Sequence, residues 1–128
     1  VASQTLCPFC DNDYKGEIAI SDHLKSLSIE NYRQFKFPDC KNKRALKFDF
    51  RVIPNNKIPF MAEFHGPQHD YPIEKFGGLN KFIYIQKLDK IKEDYCLKNI
   101  IPLLIIKYRD MKNIPTILDN YIANLPNI

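Results

Sequence analysis

Leu46-Lys47-Phe48-Asp49-Phe50-Arg51-Val52 alternates without a break between apolar and charged residues. That period of two is the pattern of a strand with one face on a core. Pro54-Asn55-Asn56-Lys57 offers a hairpin turn, and Ile58 to Phe64 reads as the next strand. A lone hairpin is barely stable in water, so the rest of the chain must cover it. Tyr32 to Phe37 also alternates, and Pro38 to Lys43 reads as a turn. Upstream, residues 1–13 read as a polar lead, and Gly16-Glu17 opens a helical pattern with Ile20, Leu24 and Leu27 on one face. Asp13 is a plausible N-cap for it. Downstream, a loop runs from Gly66-Pro67 to Gly77-Gly78. A long helix is predicted over Asn80 to Lys98, its stripe made of Phe82, Ile85, Leu88, Ile91 or Lys92, Tyr95 and Cys96. The continuous apolar run Ile100 to Tyr108 predicts a strand covered on both faces. A last helix starts at Asn113-Ile114-Pro115, with Ile117, Leu118, Tyr121 and Ile122 inside. The expected fold class is α/β (α+β): a mixed sheet of about four strands flanked by helices, in the order α-β-β-β-α-β-α.

A chain of 128 residues with 45% hydrophobic residues predicts one domain with a real core. The apolar run Ile100 to Ile106 contains a proline and is far short of the ~20 residues a membrane span needs. With no basic-plus-apolar leader, an intracellular place is expected, cytoplasmic, nuclear or virus-associated. The chain starts at Val1 and its first motif looks cut, so a piece of a longer polypeptide is expected.

The net charge of +4 is uneven. Arg33 to Arg51 holds seven basic residues and two acids, a balance of +5, so the remainder sums to −1. Such a segment can contact phosphate, or it can be a hairpin kept soluble by its charge. Cys7-Pro8-Phe9-Cys10 is a CxxC without a second one downstream. It is either half of a zinc site whose other ligands lie upstream, a site completed by Cys40 and His23, or no metal site.

Chemistry concentrates around Asp49 and Glu63, which a hairpin can bring side by side to share a hard divalent cation. His65 and His69 bracket the Gly66-Pro67 turn next to Glu63, where an imidazole can ligate a metal or carry a proton. Gln68 between them can orient a phosphate or a water. Asp89 lies on the long helix beside Lys90 and Lys92, and Glu17 near the start of the first helix.

These residues carry a resemblance. Leu46 to Phe50, Ala62-Glu63-Phe64-His65-Gly66-Pro67-Gln68-His69, Phe76-Gly77-Gly78, Asp89 to Lys92, Tyr95-Cys96 and Asn99 to Ile105 resemble phage and viral nucleases of the very-short-patch-repair (Vsr) branch of the PD-(D/E)xK superfamily. That branch includes homing endonucleases built on the same domain. The likeness covers about Gly16 to Tyr108, and its most specific piece is the Glu-x-x-Gly-x-Gln-His run. It implies a restriction-endonuclease-like nuclease domain over residues 14–128, with residues 1–13 trailing from a zinc-ribbon segment in which Cys7 and Cys10 would hold Zn²⁺. It implies Mg²⁺, with Mn²⁺ as a substitute, on Asp49 and Glu63. Glu17, His65, His69 and Asp89 would complete the catalytic set. DNA, double-stranded, would be held by Lys41, Lys43, Arg44, Lys47, Arg51 and Gln68.

Two departures stand out. The lysine of the (D/E)xK motif is absent and His65 stands in its place, which makes His65 the expected general base. Other members often carry an acid at His65 and an arginine at Leu88. The expected function is metal-dependent hydrolysis of DNA phosphodiester bonds. The alternatives are a non-enzymatic nucleic-acid-binding domain of the same fold and a zinc-dependent interaction module.

Overall fold

In the computed structural model the described residues are 8–128, with side chains from Asp13 onward. In chain order the elements are α1 (Pro8–Ser26), β1 (Glu30–Asn42), β2 (Arg44–Ile53), β3 (Phe60–His65), α2 (Gly78–Lys98), β4 (Leu103–Lys107) and α3 (Ile114–Ala123). They build a four-stranded mixed sheet in the order β1-β2-β3-β4. The first three strands run antiparallel, and β4 lies parallel to β3 after the crossover through α2. Helices cover both faces. Ile20 and Leu24 of α1 and Ile114 and Leu118 of α3 pack with Phe50, Val52, Phe60, Ala62, Phe64 and Ile106 on one side. On the other, Ile91, Tyr95 and Cys96 of α2 pack with Phe35, Phe37, Cys40, Phe48 and Met61.

Several local expectations are corrected. The first helix begins at Pro8, not at Gly16, and Asp13 is inside it rather than capping it. Proline is preorganised for a first helical position and loses nothing by lacking an N–H there. Gly16 marks a close approach instead: a Cβ at that position would lie 2.5 Å from the Phe64 ring. The glycine thereby lets α1 settle onto β3 and brings Asp13 and Glu17 to the sheet. Gly16→Ala is expected to destabilise the protein by about 1–3 kcal/mol through overpacking, despite alanine's better helix propensity. Urea unfolding measures this, and a neutral or stabilising result would contradict the close approach.

Pro38 to Lys43 is not a turn. β1 continues to Asn42, absorbing extra residues in an irregularity between Lys36 and Lys41, and the chain reverses at Lys43, whose φ is 64°. Proline is tolerated on edge strands and at bulges, and at Pro38 β1 is both. The third strand starts at Phe60 rather than Ile58. The last strand is the sheet edge over Leu103–Lys107; both its faces meet a core, Leu104 and Ile106 on the α1 and α3 side and Leu103 on the α2 side, but most of it is only half-buried. Ile100 is 87% exposed, and Tyr108 belongs to the 3-10 turn that follows.

The alternation of β2 also breaks where it matters. Phe48 belongs to the core under α2, whereas Phe50 and Val52 belong to the core under α1 and α3. The change of face falls at Asp49. Across the hairpin, between the Arg33–Phe50 and Phe35–Phe48 pairs, sits Gln34 with φ 52°. A left-handed residue in one strand lets both strands turn over together.

Candidate active site

The β2–β3 ladder closes with the pair Phe50–Ala62. Beyond it the strands part, and the Asp49 side chain takes over: its Oδ2 accepts the Phe64 N–H at 2.9 Å. The gap is a cavity of about 180 Å³ lined by Asp13 and Glu17 from α1, Asp49 from β2, Glu63 and His65 from β3 and Lys92 from α2. The sheet, α1 and α2 thus each deliver groups to one place.

Four carboxylates share this cavity with one lysine, and their states differ. Burial pushes the Asp49 carboxyl up, to about 7, reinforced by the charges of Glu63 and Glu17 and only partly offset by the Phe64 N–H and Lys92. Burial pushes Glu63 the same way, but the His65 hydrogen bond and the Lys92 ammonium win and hold it below the usual carboxylate range. Glu63 Oε1 lies 3.0 Å from His65 Nε2, and Oε2 accepts from Lys92 Nζ at 2.5 Å. With side chains only 4% and 13% exposed, Glu63 and Lys92 form a buried pair, which persists only with such geometry. Lys92 also donates to the Lys47 carbonyl at 3.1 Å and lies 5.3 Å from the Phe48 ring centre. Asp13 is raised by burial against the hydrogen bond from Gln68. Among the described residues, Asp13 Oδ1 and Gln68 Oε1 are buried acceptors without a partner. A proton or a cation is what such oxygens lack.

Lys92 is the site residue that sequence reasoning missed. The resemblance would put a lysine where His65 stands after Glu63; here the ammonium that pairs with Glu63 is that of Lys92 on α2. Its one signal in the sequence is a lysine at a position competing with Ile91 in the apolar stripe.

His65 and His69 separate this cavity from a second, of about 410 Å³, between α2 and the β4 edge. Their rings stack at 3.7 Å between centres and 10° between planes. His69 Nδ1 lies 2.8 Å from Asp89 Oδ2, and Gln86 donates to the His69 carbonyl at 2.5 Å. Ligand atoms of His65, His69 and Asp89 come within 4.8 Å of one another, close enough for a metal. Imidazole lone pairs lie in the ring plane, however, so nearly parallel stacked rings do not aim at a common ion. Two hydrogen-bonded pairs, Glu63–His65 and Asp89–His69, describe the cluster better.

The remaining residues predicted from sequence are placed as follows. Glu17 accepts from Arg33 at 2.7 Å. Gln68 donates to Asp13 Oδ2 at 2.6 Å. Lys41, Lys43, Arg44 and Lys47 are exposed on the hairpin. Arg51 is not among them: its guanidinium lies over Phe35 and Phe37, at 5.1 and 5.8 Å, and packs toward Met61. Cys7 and the Cys10 side chain lie outside the described residues. His23 bonds Asp119 at 2.7 Å on the α1–α3 side, while Cys40 is buried under α2, so these two do not meet. No helix of the described residues is long and apolar enough to cross a membrane. Comparison with protein-family models, curated proteins and solved structures finds no match.

Proposed function

We propose that the protein is a metal-dependent endonuclease that hydrolyses DNA phosphodiester bonds, with its centre where β2 and β3 part. One observation carries this reading: the buried Glu63 carboxylate is held between Lys92 and His65 in a cavity it shares with Asp49, Glu17 and Asp13. The four carboxylates suit a hard divalent cation: they are oxygen donors in excess, and they include a carboxyl pushed up to about 7 and an orphaned carboxylate oxygen, although His65 and His69 also line the cavity. Asp49 and Glu63 would hold Mg²⁺ or Mn²⁺, with Glu17 and Asp13 beside them. Such an ion supplies charge for the developing phosphorane and acidity for an attacking water.

The chain's own groups do the rest. Lys92 fixes the Glu63 carboxylate and presents a positive charge to the phosphate, the task of the lysine missing from the strand. Asp89 on Nδ1 orients His69 and leaves Nε2 to take or give a proton, the dyad arrangement of general acid–base catalysis. His65 is 5% exposed, is tied to Glu63 and lies against His69. We therefore assign proton transfer to His69, and to His65 the support of both His69 and Glu63.

His69→Ala is expected to lower nicking by about 10²-fold or more. Asp89→Asn should also slow it, because an amide can stabilise the wrong tautomer. Nicking rates of the two variants measure this, and full activity in His69→Ala would remove it from the proton path.

Mn²⁺ titration by calorimetry tests the reading against an inactive binding domain of the same fold. The nuclease reading expects carboxylate-dependent binding that Asp49→Ala removes. No binding, or binding unchanged in Asp49→Ala, would favour the inactive domain.

A further inference from the structure

Lys36 of β1 and Lys47 of β2 are register partners, directly opposite each other across the hairpin. Both are exposed. Their neighbours Phe35, Phe37 and Phe48 turn in toward α2, so the two ammonium groups leave from the other side of the ribbon. Like charges directly opposite destabilise an antiparallel pair. Nothing relieves this one: among the described residues neither lysine has a carboxylate partner. The acids near them in sequence are engaged elsewhere, Asp39 with the Tyr95 hydroxyl and Asp49 with the Phe64 N–H.

The pair also stands in a fixed relation to the candidate site. Lys47 is two residues from Asp49 on the same strand, about 6–7 Å along it. That is about the step between neighbouring phosphates of a nucleic-acid strand. The Lys47 carbonyl accepts from Lys92, which also holds Glu63, so this piece of ribbon is tied to the cavity floor.

We propose that Lys36 and Lys47 together clamp one backbone phosphate of the DNA strand, next to the phosphate positioned for cleavage. The inference rests on the nuclease reading for its ligand, and on the opposed lysines for its site. A phosphate between two ammonium groups offsets their repulsion, so binding relieves an unfavourable like-charge pairing. The contact reads no sequence; it sets where the strand lies against Asp49 and Glu63.

The test is duplex-oligonucleotide binding by fluorescence anisotropy in EDTA across a salt series, with thermal unfolding of the same proteins. Lys36→Gln and Lys47→Gln should each weaken binding, up to about 8-fold at 0.1 M salt for complete loss of one phosphate contact. The double variant should lose about one unit of salt slope in total, because both lysines serve one phosphate. Lys36→Glu, which pairs with Lys47, should raise the melting temperature and yet bind DNA worst. Unchanged affinity and slope in the glutamine variants would overturn the clamp, as would a loss of about two units in the double variant, which means separate phosphates. Because EDTA removes catalysis, the two readings fail separately. A protein that binds but never cuts overturns the nuclease and keeps the clamp, and one that cuts while the variants bind normally does the reverse. A wild-type protein that binds no duplex in EDTA overturns the clamp, while plasmid cleavage with Mg²⁺ still decides the nuclease.

Discussion

Asp49→Asn is expected to lower nicking by about a thousand-fold or more, the scale for losing a metal ligand. The same change should make the metal-free protein more stable above neutrality. Burial and the charges of Glu63 and Glu17 raise the folded-state carboxyl from 3.8 to about 7. A raised pKa means that folding favours the protonated acid. Its stabilising contribution is complete below about pH 4 and is lost as pH climbs through about 7. At pH 8 the ionised carboxylate costs the wild-type protein up to about 4 kcal/mol. Asparagine keeps an oxygen for the Phe64 N–H without that charge. Urea unfolding of the wild type and of Asp49→Asn, at pH 5 and pH 8 in EDTA, should show the variant's advantage growing with pH. Saturating Mg²⁺ should restore the wild type and do nothing for Asp49→Asn. A variant less stable than wild type at pH 8 in EDTA would contradict the electrostatic account of the cavity.

Lys92→Met is expected to damage both stability and activity. Removing one partner of a buried pair leaves the other charge without compensation, at about 3–5 kcal/mol. His65 remains on Glu63 Oε1 and softens the loss. On the nuclease reading, in which Lys92 faces the phosphate, activity should fall by about 10²-fold or more. The double variant Glu63→Gln/Lys92→Met separates the two effects. It removes both charges together, so most of the stability should return while nicking stays lost. Equilibrium unfolding and nicking of the single and double variants measure this. A fully active Lys92→Met protein would show that Lys92 takes no part in the proposed chemistry.

What the sequence disclosed, and what it hid, follows from the range of each signal. The β2 alternation and the acids Asp49 and Glu63 were legible because strand periodicity is local. The change of face at Asp49 was not. It depends on Gln34 adopting a left-handed conformation on the opposite strand, and glutamine does not announce that as glycine would. Pro38 reads as a turn because proline usually ends pairing; the bulge in β1 and its place at the sheet edge let the strand run past it. Ile100 to Tyr108 reads as one strand from its apolar run, yet the strand covers only Leu103–Lys107 and lies at the sheet edge, a position its composition does not reveal. Gly16 reads as a helix start because its reason for being glycine, the Phe64 ring, is 48 residues away in the chain. Lys92 was hidden for the same reason: its partner Glu63 lies on another element, and only the tertiary fold makes a helical lysine part of a strand-borne site.

Relaxation of supercoiled plasmid by the purified protein is the most direct measurement of the central claim. With Mg²⁺ or Mn²⁺ the wild-type protein should convert supercoiled circles to nicked or linear forms, while Asp49→Asn with metal and the wild type in EDTA should leave them intact. Equal conversion in EDTA, or conversion by the wild type no faster than by Asp49→Asn, would contradict a metal-dependent nuclease centred on Asp49, Glu63 and Lys92.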